Sequence, residues 1–148
     1  MFLNNSEEAK VAIVSFGNPL REDDGVPEKI ARDLEKERFL NADYYYGEPL
    51  NYLGKLMSYD LVFILDSVLS PSPEGTVKVF SPGDVSAAGL STHSVSVPFV
   101  KKALAGIQVY IIGIVVKNRG YRDSLSDSLR DKYPMILLNV KEVMKSCF

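Results

Sequence analysis

The sequence predicts an α/β fold: a single-domain, three-layer arrangement with a mainly parallel, twisted sheet between helices. Apolar runs alternate with helical patterns along its 148 residues, which is the order expected of strands joined by helical crossovers. Residues 60–66 give the clearest strand, because an unbroken apolar run between two aspartates indicates burial on both faces of a parallel sheet. We assign residues 1–148 to one domain, with residues 1–10 as a loose polar tail.

The other elements follow from apolar spacing and from turn residues. Pro27 suits the first turn of a helix, where its missing N–H costs nothing. Pro134 is predicted to open the final helix. Residues 76–80 alternate in polarity and predict a strand at a sheet edge. The remaining predicted elements are strands at 11–16, 42–46 and 107–116, and helices beginning near 26, at 50–57 and at 95–104.

Composition and charge exclude several classes of function. The formal net charge is −2, so no basic field is available to attract nucleic acid. No apolar run is long enough to span a membrane. The single cysteine, Cys147, rules out an intrachain disulfide and a thiol-based zinc site. The low number of cysteines and the polar N-terminus, which is unlike a signal peptide, predict a cytoplasmic protein.

Residues 17–25, here called the acid loop, follow the first predicted strand and contain three consecutive acids that end at Asp24. In α/β proteins a loop at this edge of the sheet is where ligands bind. Asp66 ends another predicted strand, and His93, the only histidine, lies in a loop before a predicted helix. Right-handed crossovers allow all three side chains to converge on the carboxyl edge of the sheet.

Two carboxylates and one imidazole suit a divalent metal ion such as nickel, zinc, iron or manganese. One aspartate could also act as a general acid or base. Each residue has an ordinary structural interpretation as well: Asp24 could cap a helix, Asp66 could accept from loop amides, and His93 could be a surface histidine. The pattern alone leaves these alternatives open.

Other catalytic classes fit less well. No G-x-S-x-G elbow of a serine hydrolase occurs. The acid loop is not a P-loop, and its acids would repel a phosphate. The serines that stand near the predicted strand ends are candidates only by proximity in sequence: Ser15, Ser67 and Ser94.

The acid loop, G-N-P-L-R-E-D-D-G, resembles the G-N-x-L-x-x-D-D/E-G signature of the hydrogenase maturation endopeptidases. Two later blocks resemble the same family in the same order. Asp66 follows a hydrophobic strand and precedes a P-G-x-like motif at residues 73–76, and residues 91–93 resemble a T-T-H block. The resemblance extends from about Val11 to the final helix and implies a twisted, mainly parallel sheet between helices.

The resemblance implies an endopeptidase that removes a C-terminal peptide from the large-subunit precursor of a nickel–iron hydrogenase after nickel insertion. Family positions that match Asp24, Asp66 and His93 contact the metal, so these are the expected metal-contacting and catalytic residues. The nickel is supplied by the precursor, and no tightly bound resident cofactor is expected. Glu22 and Asp23 are candidates for an outer-shell or base role, or for a solvated loop role.

The chain also departs from the family pattern. Gly47-Glu48-Pro49 stands where a D-G-G-T-like turn is usual, which puts substrate contact there in doubt, and Pro27 replaces a second glycine. Two alternative functions therefore stay open. One is a non-catalytic, metal-sensing module that binds the precursor, and the other is an unrelated α/β hydrolase with its own resident metal.

Overall fold

The computed structural model describes residues 9–82, 97–118 and 120–148. Its helices and strands in chain order are β1 (Val11–Phe16), α1 (Val26–Lys36), β2 (Asp43–Tyr46), α2 (Leu53–Leu56), β3 (Leu61–Val68), β4 (Val77–Phe80), α3 (Val97–Ala103), β5 (Gln108–Val115) and α4 (Asp127–Ser146). The strands form one sheet in the order β2-β1-β3-β5-β4. All neighbouring pairs are parallel except β4 with β5. The predicted α/β fold is therefore confirmed.

The sheet separates two apolar layers. Leu34 of α1 and Leu129 of α4 are buried against one face, and Leu56 of α2 and Val100 of α3 are buried against the other. Alternate side chains of the strands enter alternate layers. The continuous apolar runs of β1, β3 and β5 are explained by this double coverage. No helix within the described ranges has the length and apolar character needed to cross a bilayer.

β3 is longer than the sequence predicted. It continues through Ser67 to Val68, whereas Asp66 was predicted to end it. β5 accounts for the difference, because it pairs with both additional residues and so satisfies their backbone groups. Asp66 consequently lies inside the strand. Its register partner on the neighbouring strand is Phe16, the last residue of β1.

Most of the other predicted elements are confirmed, with small shifts. β4 is an edge strand and runs antiparallel to β5. β2 begins at Asp43, one residue later than predicted. Phe39 and Leu40 lie beyond the end of α1, in a 3-10 turn at Phe39–Asn41. Lys10 does not belong to a loose tail, because its N–H donates to Asp60 Oδ2 at 2.8 Å.

The predicted start of the final helix is wrong. α4 begins at Asp127, and Pro134 lies inside it. Ser126 caps the helix through a 3.4 Å hydrogen bond from the Leu129 N–H to its Oγ. Leu129 and Tyr133 are both buried in the core. The stabilisation from the N-cap and from these buried side chains exceeds the cost of the hydrogen bond that proline removes. Pro134 is also on the exposed side of the helix, where water can bind the unpaired carbonyl.

We expect Pro134→Ala to raise the free energy of unfolding by about 1–2 kcal/mol. Proline costs about 3 kcal/mol relative to alanine inside a helix, and part of that gain is lost because alanine frees the unfolded chain. Urea unfolding followed by circular dichroism measures the change. Met135→Ala is the control, since Met135 is 59% exposed and should change stability by less than about 0.5 kcal/mol. A less stable Pro134→Ala protein would contradict this account of α4.

Candidate functional site

The acid loop turns back on itself where β1 ends. The side-chain oxygen of Asn18 accepts a hydrogen bond from the Leu20 N–H at 3.0 Å, and the backbone carbonyl of Asn18 accepts one from the Arg21 N–H at 3.0 Å. Asn followed by Pro is a favoured combination for such a turn. The second half of the loop, Glu22–Gly25, is a 3-10 turn that leads directly into α1.

The glycines at the two ends of the acid loop allow its arms to touch. A Cβ atom at Gly17 would lie 2.4 Å from the Asp24 carbonyl oxygen, and one at Gly25 would lie 2.9 Å from Pro19 Cα. Both distances are well below the separation at which non-bonded atoms attract. The requirement for close backbone approach explains why the motif begins and ends with glycine.

Asp24 is buried at the carboxyl edge of the sheet, with 1% of its surface exposed. Its Oδ2 accepts the Asn18 N–H at 3.0 Å, and its Oδ1 accepts a hydrogen bond from Ser67 Oγ. The helix-cap interpretation is wrong, because Gly25 occupies the N-cap position of α1 and no side chain caps the helix. Asp24 is therefore an oriented carboxylate held by the loop and by β3.

The predicted position of Ser67 is wrong. It was predicted to lie in a loop and was a candidate only by proximity. The structure places it on β3, fully buried, with its hydroxyl on Asp24. The available signal was the alternation of β3, which puts Ser67 on the same face as Phe63 and Leu65.

Asp66 is 8% exposed and lies on the opposite face of β3. Alternation along the strand groups it with Ile64 and Val68, which pack in the layer of α2 and α3. Asp24 accepts a hydrogen bond from Ser67, whose side chain is on the face of β3 that is covered by α1 and α4. β1 ends at Phe16, the register partner of Asp66. The carboxylates of Asp24 and Asp66 therefore belong to opposite faces of the sheet near the carboxyl end of β1.

His93 lies outside the described residues, as does Ser94. Within residues 9–82, 97–118 and 120–148, no three His, Cys, Asp or Glu side chains are grouped closely enough to hold a metal ion. The convergence of Asp24, Asp66 and His93 therefore stays a prediction.

Asp23 has a structural role that its sequence position did not reveal. It is fully buried. Its Oδ1 accepts the N–H of Ser126 and its Oδ2 accepts the hydroxyl of Ser126, both at 2.7 Å. Ser126 is also the N-cap of α4, where the helix dipole favours a negative charge. Asp23 thereby attaches the acid loop to the start of α4, and its engaged oxygens favour this role over that of a base.

Glu22 attaches the acid loop to the segment after β5. Its φ of 52° is uncommon for a residue other than glycine. Its N–H donates to the Arg122 carbonyl at 2.8 Å, and its Oε2 accepts the Gly120 N–H at 3.1 Å. Arg122 Nη1 lies 3.7 Å from Oε1 of the same carboxylate. These contacts stabilise the unusual backbone conformation, so Glu22 is not a freely solvated acid.

A cleft of about 480 Å³ opens beside the acid loop, between α1 and the residues that precede α4. Its lining contains both signs of charge. Lys29 Nζ, for example, lies 3.9 Å from Asp33 Oδ2. Neither Asp24 nor Asp66 lines the cleft. The two aspartates, Asp24 and Asp66, and this mixed-charge cleft are therefore distinct features.

Cys147 and the departure at residues 47–49 both have local structural explanations. Burial raises the pKa of the Cys147 thiol, and the thiol donates to the Val143 carbonyl oxygen at 3.4 Å, which disfavours the thiolate form. In the departure at residues 47–49, Glu48 caps a 3-10 turn by accepting the Leu50 N–H at 3.2 Å. That contact explains Glu48 as a local turn residue.

No protein-family model and no curated protein matches the sequence, but solved structures do. HybD, a NiFe hydrogenase maturation protease from Thermococcus kodakarensis, is similar with a TM-score of 0.72 and 21% identity, over 90% of this chain and 98% of that one. HycI, a NiFe hydrogenase maturation protease from the same organism, gives 0.73 and 21% over 95% of each chain. HybD of E. coli, a hydrogenase maturating endopeptidase, gives 0.75 and 17% over 93% of each chain. This chain therefore has the fold of hydrogenase maturation proteases, as the resemblance of its acid loop implied.

Proposed function

We propose that this chain is an endopeptidase that removes a C-terminal peptide from the nickel-loaded large-subunit precursor of a hydrogenase. The observation that carries the proposal is the buried Asp24 carboxylate, oriented by two hydrogen bonds within an acid loop of the family pattern. It lies at the edge of the sheet where α/β proteins bind ligands. The names of the similar structures support a peptidase of hydrogenase maturation.

In the proposed mechanism, Asp24, Asp66 and His93 contact the nickel that the precursor carries. Carboxylate oxygens and imidazole nitrogens are suitable ligands for this ion. The proposed position of the ion is the carboxyl end of β1, since Asp24 belongs to the loop that follows this strand and Asp66 is paired with its last residue, Phe16. Contact with the ion would restrict cleavage to precursors in which nickel insertion is complete.

The bound ion could polarise the scissile carbonyl or activate a water molecule. Glu22 and Asp23 accept hydrogen bonds from Gly120 and Ser126. These contacts favour structural roles for both residues over the role of a catalytic base. Three protein ligands would leave other coordination positions to the precursor, so the protein alone should bind nickel weakly and carry no resident cofactor.

His93→Ala tests this function. The variant lacks the only imidazole of the chain, so we expect processing of a nickel-loaded precursor to fall by roughly 100-fold or more, which corresponds to about 2.7 kcal/mol. A substitution in a predicted loop should change stability by about 0.5 kcal/mol or less. The measurement is the rate of appearance of the shortened precursor, with thermal unfolding run in parallel.

The same precursor without nickel is the matched substrate control, and the wild-type protein should leave it uncut. Full processing by a folded His93→Ala protein would refute the role of the imidazole. Wild-type protein that binds the nickel-loaded precursor without shortening it would instead indicate the non-catalytic binding module. One equivalent of zinc that survives a chelator would indicate a hydrolase with a resident metal.

A further inference from the structure

We infer that Ser67 is a positioning residue that orients the carboxylate of Asp24 toward the nickel of the precursor, an inference that rests on the proposed function. Ser67 and Asp24 are 43 positions apart in the sequence, and their side chains form a buried hydrogen bond. Ser67 has no exposed surface, and Asp24 has 1%. A hydroxyl in this position contacts the proposed ligand, not the ion.

The two hydrogen bonds of Asp24 come from different parts of the fold. The Asn18 N–H belongs to the acid loop itself, whereas the Ser67 hydroxyl belongs to β3. With one donor on each oxygen, rotation of the carboxylate about its Cβ–Cγ bond would break both contacts. Each oxygen keeps a lone pair for a cation, because a carboxylate oxygen can accept more than one partner.

Ser67 is the only one of these two donors that fixes Asp24 to the sheet. The Asn18 bond is internal to the loop and would move with it. β3 is buried along its whole length and is paired on both sides for most of it, so the Ser67 hydroxyl is a rigid reference point. Partners of this kind set the orientation of metal ligands, and their removal typically lowers metal affinity by about 10–100-fold.

The test is the dissociation constant of Ni²⁺ itself, measured by titration calorimetry on the whole chain without precursor. We expect Ser67→Ala to weaken Ni²⁺ binding by about 10–100-fold while the protein stays folded. Ser67→Thr keeps the hydroxyl and should remain within roughly threefold of the wild type. Ser15→Ala is the matched control, since Ser15 is a buried serine on the same face of the neighbouring strand β1 and should bind Ni²⁺ like the wild type.

The outcomes separate this inference from the proposed function. If the wild-type protein binds no Ni²⁺ even at millimolar concentration, direct metal recognition by the chain fails. If the wild type binds and Ser67→Ala binds equally well, the positioning role of Ser67 alone is overturned. An equal loss in Ser15→Ala would overturn it too, because the effect would then not depend on Asp24. If Ser67→Ala does not fold, Ser67→Thr still tests the inference. A tenfold loss of Ni²⁺ affinity in folded Ser67→Thr, which keeps the hydroxyl, would overturn the positioning role.

Discussion

Asp24→Asn should lower the rate of precursor processing by roughly 100-fold or more, a loss of about 2.7 kcal/mol in transition-state stabilisation, while the fold survives. Asparagine keeps the shape of the side chain. Its amide oxygen can still accept from the Asn18 N–H, and its amide nitrogen can donate to the Ser67 hydroxyl, which can rotate to accept. The variant loses only the negative charge that attracts a divalent cation.

The same substitution separates a metal ligand from a residue that only holds the acid loop in place. Asparagine can keep the hydrogen bonds to Asn18 and Ser67, so an Asp24 with that structural role alone would leave processing unchanged in the variant. Asp127→Asn is the control, because it removes the same charge from an exposed position of α4. Processing rates of the three proteins with the nickel-loaded precursor give the comparison. Wild-type activity in Asp24→Asn would remove Asp24 from the site.

Asp23→Ala should lower the free energy of unfolding by about 2–4 kcal/mol. It leaves the buried N–H and hydroxyl of Ser126 without the acceptors they have at 2.7 Å, and each unsatisfied buried group costs about 1–3 kcal/mol. Asp23→Asn should cost less, because its amide can accept from the N–H and donate to the hydroxyl. Urea unfolding of the variants measures both changes.

Asp123→Ala is the control for this prediction, because Asp123 is an exposed aspartate in the segment that precedes α4. Its stability should change by less than about 0.5 kcal/mol. A double-mutant cycle with Ser126→Ala isolates the hydrogen bond from the Ser126 hydroxyl to Asp23, since residues in direct contact show coupling energies of about 0.5–3 kcal/mol. Additive effects of the two substitutions would show that this hydroxyl contact does not stabilise the protein, and an unchanged stability of Asp23→Ala would show that Asp23 does not attach the acid loop to α4.

Local patterns predicted the elements whose form depends on burial or on turn chemistry. The apolar runs of β1, β3 and β5 predicted buried parallel strands, because a strand covered on both faces has no polar side. The acid loop contains Gly17, Asn18 and Gly25, which are residue types typical of turns, and the structure shows that each is needed for a turn or a close backbone approach. Pro134 misled the prediction, because core burial and a cap support a helix through an exposed proline.

The partners of the acids were not predictable in the same way. Three consecutive acids look alike in a sequence, yet Glu22 binds the segment after β5, Asp23 binds Ser126, and Asp24 binds Ser67. Each partner lies between 43 and 103 residues away in the chain. No local periodicity encodes such pairs.

The sequence by itself determined the α/β class, the order of the strands along the chain and the position of the acid loop. Tertiary structure alone decided which carboxylate is oriented by β3, which one anchors α4, and that Asp66 lies on the face of β3 opposite Ser67. The physical reason is the separation along the chain over which each effect acts. Burial and turn geometry act between near neighbours in the chain, whereas a buried carboxylate is placed by whichever donors the folded sheet brings to it.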